Sequence, residues 1–577
     1  MTDLIELEPV RVAFASSRDG SGPLTLGQLN ILEWMNKPGA SVDVRVDWVL
    51  DLPPGARVSD FAETFAVLLD RYEGLRTSYP AADPPVQRLT GEGELVIEAF
   101  AMADGDPAEV DRRALTMQLF HRLRGSGAKP SDPLPLQIAL VRHGEEVLAA
   151  AALCSHLTVD FHALGTIGRE FAALVRDPGA RVPGPARYQP LDRALAERDP
   201  RMAPRLAAAI GYWERQLTRM PRHVHIGPHR GGAGVATAVI MTSPASGPAL
   251  DRIAQRTRTS RVTIVFAVVC AVLSQRTGYD RWSAPLMSGN RFEPALTDYV
   301  GTMAQSAVVD LDLRVSGLDE LIGRISNAVI TAYRHGLYDV YARRAAEDRI
   351  GADRGVDFCL EPLFNGMDAN PAARDVGAED PDAPHTAAAS APTRFDRIPM
   401  PPTSALIRFD MRPAHHALQL QCTTGDTTRT PAADMESLLR AVERVLTAAA
   451  DQDLSTDRMR RISGVEPIDR GPDWLLIDYC WIELSQTQRL LEEALPEVTP
   501  RVFRTIDGRE LVAYLPPSPD AETPEQAHAR CMRHLPGRPS AMAPRWYVIC
   551  DGAPADPDDP EAWRSRDVLA QGPGRTL

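Results

Sequence analysis

The 577-residue chain is 44% hydrophobic and 24% charged, the balance of a globular protein with ample core-forming material, not of a disordered or fibrous one. Its length suits three or four domain-sized units, or fewer large ones. A formal net charge of −14 at pH 7 disfavours phosphate-backbone binding, so nucleic acid is not an expected partner.

The first residues, MTDLIELEPV, have no basic segment ahead of an apolar core, so no signal peptide is expected. Val42–Leu52 alternates and stops at Pro53-Pro54, which predicts a strand. Asp60–Tyr72 has helical apolar spacing. Leu136–Val141 and Glu146–Leu153 predict two strands joined by a turn at Arg142-His143-Gly144. Leu164–Val175 reads as an amphipathic helix, so Ser155–His162 lies between a buried strand and a helix. Such junctions often carry chemistry, because rigid elements hold them. The polar, Pro-containing stretch Arg176–Arg201 reads as a linker.

A second alternation of helices and strands follows, to about Leu446. Its longest apolar run, Val262–Leu273, falls short of the roughly 20 residues a membrane span needs and is expected to be a buried helix. Asp368–Thr393, rich in Ala, Asp and Pro, reads as a mobile surface insertion. A last unit from about Val465 contains a strand at Trp474–Tyr479, a helix at Gln486–Leu495 and a strand at Glu510–Leu515; the tail after Asp551 reads as partly unordered. Seven cysteines without CxxC or Cys/His ligand spacing fit reduced thiols in a cytoplasm and suggest no metal site. Cys154 reads as a small buried hydrophobe, not a nucleophile. No membrane association is expected.

In Ser155-His156-Leu157-Thr158-Val159-Asp160, His156 suits general-base work because histidine exchanges a proton near neutral pH. Asp160 is placed to orient the loop that presents it. A histidine beside a buried strand is by itself more often structural, and flanking motifs have to decide.

Those motifs resemble the condensation domains of nonribosomal peptide synthetases. Leu24-Thr25-Leu26-Gly27-Gln28 through Trp34 resembles the opening Ser/Thr-x-x-Gln motif with its following aromatic. Glu73-Gly74-Leu75-Arg76-Thr77 resembles Glu-x-Leu-Arg-Thr. Ser155–Phe161 aligns with His-His-x-x-x-Asp-Gly, Tyr212–Leu217 with Tyr-Trp-x-x-x-Leu, and Asn290-Arg291 with Val300-Gly301 resembles Asn-Arg…Val-Gly. Their order and separation together are specific over roughly residues 15–460.

The resemblance implies an α/β (α+β) fold: two chloramphenicol-acetyltransferase-like lobes in a V with a central tunnel, here 1–190 and 191–460, plus a small α+β domain at 461–577. It implies His156 at the tunnel centre, an Asp160–Arg291 pair holding the loop, and Ser155, Phe161 and His162 as tunnel-lining candidates. It implies carrier proteins acting in trans that bring substrates on phosphopantetheine arms, with no cofactor bound by the chain itself. There are two departures: Ser155 replaces the first family His, and Phe161 replaces the family Gly, at a position where glycine lets the backbone approach substrate.

The last segment has a second resemblance. Arg470-Gly471-Pro472-Asp473 and Trp481-Ile482-Glu483-Leu484 look like the hinge and the following motif of adenylation enzymes, over roughly 466–565. The large nucleotide-binding core is absent, and Gly552-Ala553-Pro554 stands where that family's catalytic Gly-Lys is expected. Self-contained adenylation is therefore not expected, and a separate adenylating enzyme is a candidate partner. Three functions stay open: a stand-alone condensation-type acyltransferase forming an amide or ester, a catalytically silent recruitment protein, and an acyltransferase using coenzyme A.

Overall fold

A computed structural model describes the chain except residues 1–2, 37–43, 104–108, 128, 130, 178–185, 187, 223–233, 367–390, 402, 404–405, 413, 415, 520 and 576–577. The stretch expected to be a mobile insertion lies largely outside the described residues. Two units emerge: Met1–Leu206 with Ser288–Gln305, and Ala207–Met287 with Ser306–Asp368 and Pro384–Leu577.

The first unit begins with strand β1 (Leu4–Ala15), strand β2 (Gly20–Pro23), helix α1 (Leu26–Met35), strand β3 (Arg45–Val49) and helix α2 (Val58–Arg71). Strands β4 (Thr77–Ser78), β5 (Val86–Leu89) and β6 (Glu92–Met102), and helix α3 (Arg112–Gly125) follow. Strands β7 (Leu136–His143) and β8 (Glu146–Ser155) and helices α4 (Phe161–Arg176) and α5 (Pro190–Ala196) complete it. Its main sheet has the order β1-β6-β7-β8-β3, and β2-β5-β4 form a small second sheet.

The apolar run along β8 is buried from Val147 to Cys154, the mark of a strand covered on both faces. Ala152 and Cys154 face a core made with Phe61 and Phe65 of α2 and Ile167 and Phe171 of α4. Ala151 and Leu153 face Leu115, Leu119 and Leu123 of α3. Trp48 meets Phe65 and Phe171 edge-on, with ring centroids 5.8 and 5.9 Å apart. Burying each such ring stabilises the fold by about 1.5–3 kcal/mol. This double packing fixes where β8 ends, and so where His156 begins.

The expected linker is partly a helix. Arg193 and Glu197 form a buried pair at 2.7 Å, and Glu197 accepts from the backbone N–H of Leu26 at 2.7 Å. A stretch that reads as polar thus folds inward, because its charges satisfy one another and a helix N-terminus.

The second unit is built on a seven-stranded mixed sheet, in the order 305–312, 281–288, 363–366, 408–412, 418–424, 237–243, 394–399. The apolar run lies in the buried helix Arg261–Thr277. Among the described residues no single helix is long and apolar enough to cross a membrane. The C-terminal segment adds a hairpin, Trp474–Ile477 with Cys480–Glu483, and a four-stranded sheet in the order 501–504, 511–515, 546–550, 568–572. The tail expected to be partly unordered is structured over its described residues, 552–575. Strand Val568–Gly572 pairs with Trp546–Cys550, and Trp563 is fully buried against Tyr514 and Cys550. The Asp/Pro composition hid one anchoring indole.

Candidate active site

The turn after β8 is closed by its own residues. The carbonyl of Ser155 accepts from the amides of Thr158 (2.9 Å) and Val159 (3.1 Å). Ser155 Oγ accepts from Leu157 N at 3.3 Å, and the residue is 5% exposed. Ser155 thus caps the turn locally. His156 N donates to Val44 O at 3.1 Å beside the edge strand β3.

The contacts of the half-buried His156 ring include a hydrogen bond and a ring contact. Nδ1 lies 2.9 Å from the carbonyl oxygen of Val159. A carbonyl only accepts, so Nδ1 carries the hydrogen and Nε2 of the neutral ring holds the lone pair. The ring also meets the indole of Trp34 edge-to-face, with centroids 6.4 Å apart and planes at 79°.

Asp160 does not touch the histidine; it builds the frame. As N-cap of α4 it accepts from Ala163 N at 2.9 Å. It takes both arms of Arg291, at 2.7 and 2.9 Å, and accepts from Met303 N at 2.9 Å. Arg291 also donates to the carbonyl of Gly301 at 2.7 Å. The two charged side chains are each 5% exposed. Burial pushes the Asp160 carboxyl up, but the Arg291 charge and the donated hydrogen bonds outweigh it and hold it below the usual carboxylate value.

Arg291 reaches Asp160 because Ser288–Gln305 packs with the first unit. Asn290 adopts the left-handed conformation at φ 52° and donates to Met303 O at 3.0 Å, closing the loop on itself. The other two sequence candidates flank this frame. His162 Nε2 lies 2.9 Å from Thr297 O in the same loop, so it ties α4 to the loop. Phe161 is 44% exposed at the first position of α4. Cys154 is fully buried, and burial pushes its thiol up to about 12, which leaves it no thiolate for chemistry. Among the described residues no cluster of three His, Cys, Asp or Glu side chains is arranged to hold a metal ion.

Several contributors were not legible from the motif alone. Thr158, inside it, bonds Tyr79 Oη at 3.0 Å, and Gln28 Nε2 lies 3.4 Å from the same oxygen. The opening motif therefore supports the histidine turn through a buried polar chain. Arg76 makes no ion pair among the described contacts; it binds the carbonyls of Leu69, Arg18 and Thr90 and Ser16 Oγ, while Glu73 pairs with Arg18 at 3.0 Å. Arg76 thus ties the backbone together through carbonyls and one hydroxyl.

The model of the condensation domain family matches residues 35–346, more than half of the chain. This chain belongs to the condensation domain family. A curated relative, the isonitrile lipopeptide synthase of Mycobacterium tuberculosis (strain ATCC 25618 / H37Rv), is 26% identical over 351 residues, 56% of this chain and 13% of that protein. The chain thus spans only a small part of that relative's length. Among solved structures, the first condensation domain of the calcium-dependent antibiotic synthetase, in complex with a substrate analogue, superposes with a TM-score of 0.57 at 17% identity, covering 77% of this chain and 98% of that one. The condensation domain of chain release from the enacyloxin polyketide synthase gives 0.54 at 21%, covering 74% and 82%. These likenesses are of fold: a mixed α/β architecture of several sheets, with no closed barrel among the described residues.

Proposed function

We propose that this chain is a condensation-type acyltransferase that joins a carrier-bound acyl thioester to an amine or alcohol acceptor. The observation that carries the reading is His156: a ring at a rigid strand–helix turn, with Nδ1 occupied by Val159 O and the lone pair on Nε2. The acceptor N–H or O–H attacks the thioester carbonyl carbon, and the carbon–sulfur bond breaks. The acceptor proton passes by way of Nε2 to the departing phosphopantetheine thiolate. Two tethered substrates gain from proximity, which lowers the demand on the base. Family membership supports work with carrier-bearing partners. The phosphopantetheine arm comes with the carrier; a separate adenylating enzyme would charge it.

The C-terminal segment is a brace in this reading, not an adenylating unit. Buried Arg222 donates to the carbonyls of Arg538 and Ala541. Arg354 binds Asp478 at 2.7 Å, and Val356 sits inside the core made by Leu490, Leu491 and Tyr547.

A second reading, recruitment without bond formation, is favoured by one observation: Phe161 in place of the family glycine, with its ring exposed. One reconstitution separates the two. Acyl-loaded carrier and amine or alcohol acceptors are incubated with native protein, His156→Ala and Phe161→Gly, and products are followed by mass spectrometry, with acyl-coenzyme A as an alternative donor. The acyltransferase reading expects native turnover that His156→Ala abolishes. Equal turnover by native protein and His156→Ala sinks the base assignment. Carrier binding without product, with turnover appearing in Phe161→Gly, supports recruitment.

A further inference from the structure

Helix α1 presents one face to the site. Positions 27, 30 and 34 lie on that face, at helical spacing. At Gly27 the helix comes so close to the 299–304 loop that a Cβ would run into the backbone at Thr302 O and Met303 Cα. One turn on, Asn30 Nδ2 donates to Ala304 O at 3.2 Å. One turn further, the same face carries Trp34, whose indole meets the His156 ring edge-to-face.

The helix that bears this indole is held at its start. Thr25 and Gln28 form a reciprocal capping box, and Glu197 accepts from Leu26 N. The loop it packs on is the one whose Met303 N binds Asp160. The histidine turn is tied to the same helix by Thr158, Tyr79 and Gln28. Two of the contacts on the imidazole, the Val159 carbonyl and the Trp34 indole, therefore hang from one frame. A hydrogen bond from Nδ1 alone fixes the tautomer but leaves the ring free to rock about that bond. A ring packed edge-to-face beside it removes the rocking and fixes where Nε2 points.

We propose that Trp34 is a positioning residue for His156, holding the imidazole so that Nε2 keeps one direction. This rests on the reading of His156 as the base, and the test separates the two. Full-length protein carrying labelled histidine imidazoles is compared as native, Trp34→Phe and Trp34→Leu, with the His156 signals assigned by their loss in His156→Gln. The native protein and Trp34→Phe are expected to show the Nδ1–H tautomer with ring-current-shifted ring protons. Trp34→Leu is expected to keep that tautomer but to show a mobile ring, with exchange-broadened ring signals and faster relaxation. In turnover, Trp34→Leu is expected to lower kcat about tenfold with KM unchanged, and Trp34→Phe to restore most of it. A His156 ring as rigid in Trp34→Leu as in the native protein overturns the proposal whatever the activity, and so does full kcat despite a mobile ring. If native protein makes no product, the acyl-transfer reading fails, and the imidazole spectra alone decide the role of Trp34.

Discussion

Replacing Arg291 by leucine should expose what the Asp160 frame is worth. In the native protein Asp160 is 3% exposed and accepts four bonds, two from Arg291 and one each from Ala163 and Met303. Arg291→Leu leaves the two backbone donors and a buried carboxylate without its counter-charge. Removing one partner of a buried pair costs about 3–5 kcal/mol. The pH dependence fixes the sign. The native carboxyl lies below its unfolded value of 3.8, so its contribution is fully present above that value and is lost as pH falls through the lower folded one. Without Arg291, burial is expected to dominate and carry the folded pKa above 3.8. Stability is then present below the unfolded value and is lost as pH rises through the folded one. The gap between native protein and variant should therefore be small in acid and widen toward neutrality, by about 1.4 kcal/mol per unit of separation between their folded pKa values. Urea unfolding at about pH 4.5 and about pH 7.5 reads this directly, and amide exchange at Ala163 and Met303 reports the local opening. Adding Asp160→Asn to Arg291→Leu should recover part of the loss and flatten the pH dependence. An equal loss at both pH values would refute the reasoning.

Two further outcomes follow from close packing and from the brace. Gly27→Ala replaces a poor helix former by the best one, a change worth about 1 kcal/mol in an open helix. Here the added Cβ meets backbone atoms that cannot swing aside, so a net destabilisation of about 1–3 kcal/mol is expected in denaturant unfolding. A stabilised variant would contradict the contact. Arg354→Met removes the bonds to the Asp478 side chain and carbonyl and to Met220 O. Faster amide exchange is expected across Trp474–Glu483, with the His156 peptide unaffected. No change in that hairpin would count against a C-terminal brace.

Elements with strong periodicity were legible without the fold. The alternation ahead of Pro53 gave β3, the spacing around Phe61 and Phe65 gave α2, and the uninterrupted apolar run from Val147 gave β8. Their side-chain pattern is set by which face meets the core, and that pattern is local. The motif order located His156 and Asp160 at a strand–helix junction. Departures from expectation came where composition misled. Arg193 and Glu197 look solvent-seeking until they neutralise each other in the interior, and the acidic tail looks unordered until Trp563 finds its pocket.

By itself, then, the sequence pointed to the strongly periodic elements, to the condensation domain family, and to His156 and Asp160 as candidates. Tertiary structure alone decided that 288–305 packs with the first unit, that Met303 N joins the expected Arg291 on Asp160, that Ser155 caps its own turn, and that Trp34 faces His156 from 122 positions away in the chain. The physical reason is range. Periodicity and capping act between residues a few positions apart, whereas the direction of the His156 ring depends on contacts that exist only once distant segments have closed on one another.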